Sequence, residues 1–503
     1  MSGEPYDLIV IGGGPAGSTL ASFTAMAGHR VLLLERDTFP RHQIGESLLP
    51  ATIHGICRML GVLDQIEAAG FPRKNGGTFR WGTSPEPWTF HFVRNPNDPY
   101  GYAYQVERAK FDKILLDNAR AKGVDVREKH DVTSVIVEDD RAVGVEYEDD
   151  QGQRHEARAR FIADASGNRS SVWKTVGDRV YSEFFRNVAL YGYFEGGKRL
   201  PPPISGNILS AAFRDGWFWY IPLSDTLTSV GAVVSREAAD EIRAKGDEAA
   251  LNGYIERCDI IKEYLANARR VTDGPYGELR IRKDYSYCMD RFWVPGMILV
   301  GDAACFVDPV FSSGVHLGTY SALLAARSIN TLLGGTEDLT EEECLIEFED
   351  RYRREFGRFY QFLLAFYDMH QDEDSYFWQA RKILNTPERS NEAFVRLVAG
   401  LSELDEPVFA GPQEFFEARK GFGSWFAENL LPREDGGNGH TPGQPLGIMD
   451  PAAFNPEEFM RGFNQEIVSL QMMAVMRGVS RKERPIREGG LVPSADGFRW
   501  VAS

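Results

Sequence analysis

YDLIVIGGGPAGSTLASFTAMAGHRVLLLER, residues 6 to 36, decides how the rest of the chain is read. YDLIVI is a compact run of strand formers, GGGPAGS a glycine turn, TLASFTAMAG a stretch of helical character, and HRVLLLER a second apolar strand. That order is the βαβ unit of a dinucleotide site. Gly12 allows the tight turn, Gly14 lets a pyrophosphate approach the backbone, and Gly17 lets helix and strand pack closely. Glu35 ends the second strand, 18 residues after Gly17, where it can accept hydrogen bonds from ribose hydroxyls. Its charge opposes a 2′-phosphate, so an unphosphorylated adenosine half is expected.

Composition narrows the classes around this unit. The 503 residues, 43% hydrophobic and 26% charged, supply a large core and more than one lobe. The 56 basic and 73 acidic side chains leave a net charge of −17, which argues against non-specific nucleic-acid binding. Cys57, Cys258, Cys288, Cys305 and Cys344 are scattered and form no CxxC pair. No disulfide framework and no metal site are expected, and a reducing cytoplasm fits. The N-terminus carries no basic leader, and no apolar run is long enough to span a bilayer.

The choice between FAD and NAD falls to a distant segment. MILVGDAACFVDP (297–309) reads as a buried strand ending at Gly301 and Asp302, where an Asp at the carboxyl end of a sheet strand could hold a ribityl hydroxyl. The helix that follows PVFSSG would aim free amides and a partial positive charge at an anion, either reduced flavin or a halide.

With these residues in place the chain resembles the FAD-dependent monooxygenase superfamily of the aromatic hydroxylase type. GGGPAG with Glu35, ERAKFDKILL with Arg108, DASG (164–167) and GDAACFVDP carry the resemblance in order across residues 5–330. It implies an α/β fold: a doubly wound, Rossmann-like FAD domain with an antiparallel substrate-side sheet, and a mainly helical C-terminal lobe. The core is expected over 1–335, its sheet interleaved at about 75–110 and 180–285, and the lobe over 336–503. FAD contacts are carried over to Gly12, Gly14, Ala16, Gly17, Glu35, Arg36, Arg41, Ile44, Glu46, Arg108, Asp302 and Val315.

Within that superfamily DGWFWYIPLSD (215–225) resembles the Trp-x-Trp-x-Ile-Pro stretch of flavin-dependent halogenases, in particular those acting on phenolic or carrier-tethered substrates. The resemblance extends to Lys74 in FPRKNGGTFRWG, to HQIGESLLP, and to Ser313 and Gly314 as halide-binding backbone amides. It implies chloride as co-substrate and a separate reductase that delivers reduced FAD. Oxygen would form the flavin C4a-hydroperoxide, chloride would attack it, and the resulting hypochlorous acid would reach the ring through Lys74. Trp217 and Trp219 would keep substrate from touching the flavin side, where it would be hydroxylated instead. Phe311 stands where tryptophan halogenases carry a glutamate; Glu46, in GES, is the nearest candidate for that role, although hydrogen bonding within the flavin loop is what is expected of it. Covalent attachment of FAD is left open, with Cys288 a nucleophile of unknown placement.

Beyond residue 335, EEECLIEFEDRYRREFGRFYQFLLAFYDMH (341–370) has the spacing of a long amphipathic helix. RYRREFGRF (351–359) and RGVSRKERPIR (477–487) are basic runs that could dock an acidic acyl or peptidyl carrier protein. The tail GGLVPSADGFRW is expected to fold back on the body. Three other readings share these motifs: an aromatic hydroxylase, a prenyl-chain reductase, and a flavin-binding protein without catalysis.

Overall fold

The computed structural model describes residues 4–81, 86–92, 101–169, 172–182, 185–235, 239–283, 286–335, 338–368, 398–399 and 490–502. The opening motif forms β1 (Tyr6–Ile11), α1 (Pro15–Met26) and β2 (Val31–Glu35). Gly12 has φ +99°, and a Cβ there would lie 2.7 Å from the Ala165 carbonyl oxygen, so only glycine makes this turn. A Cβ at Gly17 would lie 1.9 Å from the Gly12 carbonyl oxygen, which is the close packing of helix on turn expected of that position. Around this unit a sheet runs in the order Trp293–Val294, Met297–Leu299, Arg154–Asp164, β1, β2, Asp125–Glu128. Its inner strands are parallel and wholly apolar at the centre, as strands covered on both faces must be.

A second sheet holds Val188–Glu195, Leu227–Val234, Gly216–Pro222, Ile208–Phe213, Gly76–Arg80 and Trp88–His91 side by side. The period of two along Gly216–Pro222 divides its aromatics between two cores. Trp217, Trp219 and Ile221 face the dinucleotide domain, whereas Phe218 and Tyr220 pack with Leu251, Tyr254 and Ile261 from the helices Asp247–Glu256 and Asp259–Leu265. Each of these fully buried rings stabilises the sheet by about 2–3 kcal/mol. The sheet is antiparallel except for one pairing: Ile208–Phe213 runs parallel to Gly76–Arg80. Those two strands are joined through the dinucleotide domain rather than by a hairpin, so no tight turn forces them to oppose.

Helix Gly314–Leu333 is buried along nearly its whole length between α1 and the helix Glu341–Asp368. The basic run 351–359 lies within the latter, and here the structure corrects its reading as a docking patch. Arg351 and Arg353 are buried and paired at one-turn spacing with Glu347 and Glu349. Tyr352, Phe356 and Phe359 of the same run are core residues, so the run is mostly an inward face, with Arg354 its exposed cation. The C-terminal hairpin Leu491–Pro493/Trp500–Ala502 returns to the body, where Arg327 Nε donates to the Gly497 carbonyl at 2.7 Å and Trp500 Nε1 to Ser328 Oγ at 2.9 Å. The second basic run, 477–487, and most of the lobe expected to be helical beyond residue 368 lie outside the described residues, apart from Val398, Ala399 and the C-terminal hairpin. Among the described residues no helix is long and apolar enough to cross a membrane.

Candidate active site

A cavity of about 540 Å3 opens between the two sheets, floored by the glycine turn after β1 and roofed by the Gly216–Pro222 strand. Every residue expected to contact FAD lines it except Gly17, whose role is the packing described above. Arg36, Arg41 and Arg108 are joined there by two arginines the sequence did not single out, Arg169 and Arg282. Five guanidinium groups around one cavity, in a chain of net charge −17, make a site built for a polyanion such as a pyrophosphate. Gly14 leaves the approach open: the nearest atom to a Cβ there is Arg41 Nη2 at 3.6 Å. Ser47 Oγ, also on the cavity wall, is buried with no hydrogen-bond partner among the described residues. These residues fit FAD.

The polar groups of the wall are held from behind. Arg108 Nη1 donates to the Ile44 and Gly45 carbonyls at 2.7 and 3.2 Å, while its Nε and Nη2 grip Asp112 at 2.6 and 2.9 Å. The loop 41–47 is thereby fixed to the helix Arg108–Ala121. Glu35 accepts from the Gly13 amide at 2.6 Å and the Asp37 amide at 2.8 Å, and burial nonetheless raises its carboxyl above the ordinary range. Asp302 is pushed up to about 6 by burial, against the pull of Arg108. Burial likewise raises Glu46 to about 7, although the Tyr193 hydroxyl donates to it at 2.8 Å. His42 Nε2 lies 2.7 Å from the same hydroxyl, and burial lowers this imidazole to about 4.

Trp217 and Trp219 line the cavity, and both indoles are anchored. Trp219 Nε1 donates to Ser229 Oγ at 3.1 Å; Trp217 Nε1 donates to the Tyr367 hydroxyl, which in turn donates to Asp308 Oδ2 at 2.8 Å. Asp308 is wholly buried, caps Val310 N at 3.1 Å, and is pushed up to about 6 by burial. Neither Asp308 nor Tyr367 was singled out by sequence, because they meet across 59 residues. Phe311, in place of the glutamate, is buried against Phe362 and Phe366 with ring centroids at 4.9 and 4.8 Å. Asp308 is therefore the buried carboxylate of this segment.

Of the halide-segment residues, Gly314 lines the cavity together with Ser312 and Val315, whereas the Ser313 side chain is buried away from it. Ser312 has φ +60°, and this left-handed turn swings the chain into the helix Gly314–Leu333, whose first-turn amides have no helical acceptor.

Lys74 does not line the cavity. It is 2% exposed, lies opposite Ala103 in a two-residue ladder, and donates from Nζ to the Leu48 carbonyl at 3.0 Å, with the Phe92 ring 5.4 Å away. Ser47, the residue before Leu48, is on the cavity wall, so the backbone at 47–48 stands between ammonium and cavity. Burial lowers this lysine from 10.5 to about 7. Cys288 does not line the cavity either and is buried on the strand Tyr287–Met289.

The chain belongs to the tryptophan halogenase family, which it matches over residues 7–99 and 93–438. It is thus a flavin-dependent halogenase by family, an oxidoreductase of the FAD monooxygenase superfamily. Its fold superposes with TM-score 0.75 on the myxobacterial chondrochloren halogenase CndH, described as a new variant of FAD-dependent halogenases, at 62% identity over 99% of this chain and 100% of that one. A tryptophan 2-halogenase of Chondromyces crocatus is 33% identical over 417 residues, 80% of this chain and 77% of the relative. A 1H-pyrrole-2-carbonyl-[peptidyl-carrier protein] chlorinase of Pseudomonas fluorescens is 29% identical over 390 residues, 73% and 84% of the two chains.

Proposed function

We propose that this halogenase chlorinates an activated aromatic ring, a tyrosyl or other phenolic group, presented on a carrier protein and served by a separate flavin reductase. The observation that carries the reading is the separation of a buried, desolvated Lys74 from the arginine-lined cavity, with an anchored Trp217–Trp219 wall on the cavity side. Bound and reduced, FAD supplies the oxygen activation that turns halide into an electrophilic halogen.

The chain's own residues do the rest. Arg41, Arg108 and Asp302 orient the cofactor. The amides of Ser313 and Gly314, at the positive end of the helix Gly314–Leu333, would hold the halide. The indole pair keeps the ring from the flavin side, and Tyr367 and Asp308 hold Trp217 in that attitude. Lys74 has the chemistry to receive an electrophilic halogen: a neutral amine near pH 7 is a nucleophile, and its ammonium is a hydrogen-bond donor. Carrier tethering is supported by the peptidyl-carrier-bound substrate of the Pseudomonas fluorescens chlorinase.

Mass spectrometry of a tyrosyl-loaded carrier, treated with enzyme, FAD, reductase and chloride, tests the reading. The product should show the chlorine isotope pattern, which Lys74→Ala abolishes while still binding FAD and consuming oxygen. A gain of oxygen alone would mean a hydroxylase, and chlorinated product from Lys74→Ala would remove the lysine from the mechanism.

A further inference from the structure

Cys288 and Cys305 stand directly opposite one another on the antiparallel strands Tyr287–Met289 and Cys305–Phe306. Both thiols are buried, at 0% and 1% exposure. The Met289 amide donates to the Ala304 carbonyl at 2.9 Å, which makes 288/305 the next, non-hydrogen-bonded pair of the ladder. Side chains approach most closely at such pairs, with Cα atoms about 4.5 Å apart, inside the range a disulfide spans.

A fixed cation faces the pair. Arg353 Nη1 donates to Cys288 Sγ at 3.3 Å, Nη2 donates to the Asp290 carbonyl at 2.9 Å, Nε donates to Glu349 at 2.8 Å, and the guanidinium lies 3.9 Å from the Phe292 ring centroid. The two sulfurs are unequal in consequence. Burial raises both, but hydrogen bonding with Cys305 and then the charge of Arg353 bring Cys288 below its ordinary value, while Cys305 is held far above. One sulfur is set to attack and its neighbour to resolve.

We infer that Cys288 and Cys305 are a peroxide-reactive dithiol that closes to a disulfide behind the FAD-binding segment. The oxidant is hydrogen peroxide, formed when reduced flavin passes two electrons and two protons to dioxygen with no ring to halogenate. The Cys288 thiolate attacks one peroxide oxygen, the O–O bond breaks, and the departing hydroxide takes up a proton to become water. Cys288 is then a sulfenic acid. Cys305 sulfur displaces its hydroxyl, the S–S bond forms, and a second water carries off the remaining proton. Two thiols are oxidised and one peroxide is reduced. Peroxide is close to water in size, and its path is short in sequence: Phe306, next to Cys305, lines the cavity. The inference rests on FAD binding, not on the identity of the ring or halide.

The test titrates reduced, FAD-bound enzyme with hydrogen peroxide, then denatures it, alkylates it, and maps the peptides. One equivalent should remove two alkylatable thiols and yield a Cys288–Cys305 cross-linked peptide that dithiothreitol reverses, leaving Cys57, Cys258 and Cys344 alkylated. In Cys305→Ser, dimedone should capture a sulfenic acid at Cys288, and in Cys288→Ser oxidation of Cys305 should slow by about tenfold or more. Recovery of both cysteines as alkylated thiols, or their separate oxidation without the cross-link, overturns the inference whatever the halogenation assay shows.

Discussion

Replacing Lys74 with methionine should make the protein more stable and inactive together. The unfolded chain takes up a proton on this lysine near 10.5, the folded chain only near 7. Between those values the unfolded state binds more protons, so stability rises with pH through the window and is lost as pH falls back toward 7. The interval, 10.5 minus 7, is three and a half powers of ten, or about 5 kcal/mol at 1.36 kcal/mol each. Lys74→Met keeps the length of the stem and the contact with Phe92, but leaves the Leu48 carbonyl unpaired, at a cost of about 1 kcal/mol. At pH 6 the variant should therefore gain about 4 kcal/mol. With an unfolding entropy of roughly 2.1 cal/mol/K per residue over the whole chain, that is about 4 °C in melting temperature. Calorimetry of the FAD-bound proteins at pH 6 and pH 10 reads the effect, which should vanish at the higher pH. A variant that melts at or below the parent at pH 6, with parallel pH dependence, would mean that the ammonium is solvated in the folded protein and that burial does not tune it.

Two glycines of the same motif should fail in different ways. Gly14 has φ −67° and free space at its Cβ position, so Gly14→Ala should fold normally and lose FAD affinity by about tenfold or more, read by flavin fluorescence titration. Gly12→Ala meets both a left-handed φ and the Ala165 carbonyl, and should lose melting temperature in the absence of any flavin. Tyr367→Phe strips Trp217 Nε1 and Asp308 Oδ2 of a shared partner and should cost about 1–3 kcal/mol in chemical unfolding, with a shifted tryptophan emission.

The parts of the site that lie within one short segment were legible in the sequence. The βαβ turn declares itself through glycine spacing, and the Trp-x-Trp alternation puts both indoles on one face of a strand. Lys74 is different. Arg73 and Lys74 form a two-residue ladder in which the first side chain is exposed and the second buried, a distinction too short to register as periodicity. Its proposed role rests on resemblance, and its desolvation is seen only in three dimensions. Arg282 and Tyr367 were missed because each reaches the site from a remote element, whereas Arg169 and Asp308 sit beside or within the motifs DASG and GDAACFVDP and were missed because nothing local marks where their side chains point. The reading of 351–359 as a basic patch failed for a reason present in the sequence: Glu347 and Glu349 each stand four residues before an arginine, the spacing of a helical ion pair.

The helix Glu341–Asp368 reaches both the cofactor segment and the tryptophan wall. Tyr352 donates to the Gly301 carbonyl at 3.1 Å, beside the cofactor segment, and Tyr367, fifteen residues later, holds Trp217. At 1.5 Å per residue these contacts are roughly 22 Å apart on one rod. A lineage that changes its substrate can thus rewrite the final turns while the turn around Tyr352 and Arg353 stays tied to the flavin. Graft experiments between relatives have a natural seam there: an exchange begun after Phe356 should carry ring preference across and leave cofactor loading behind.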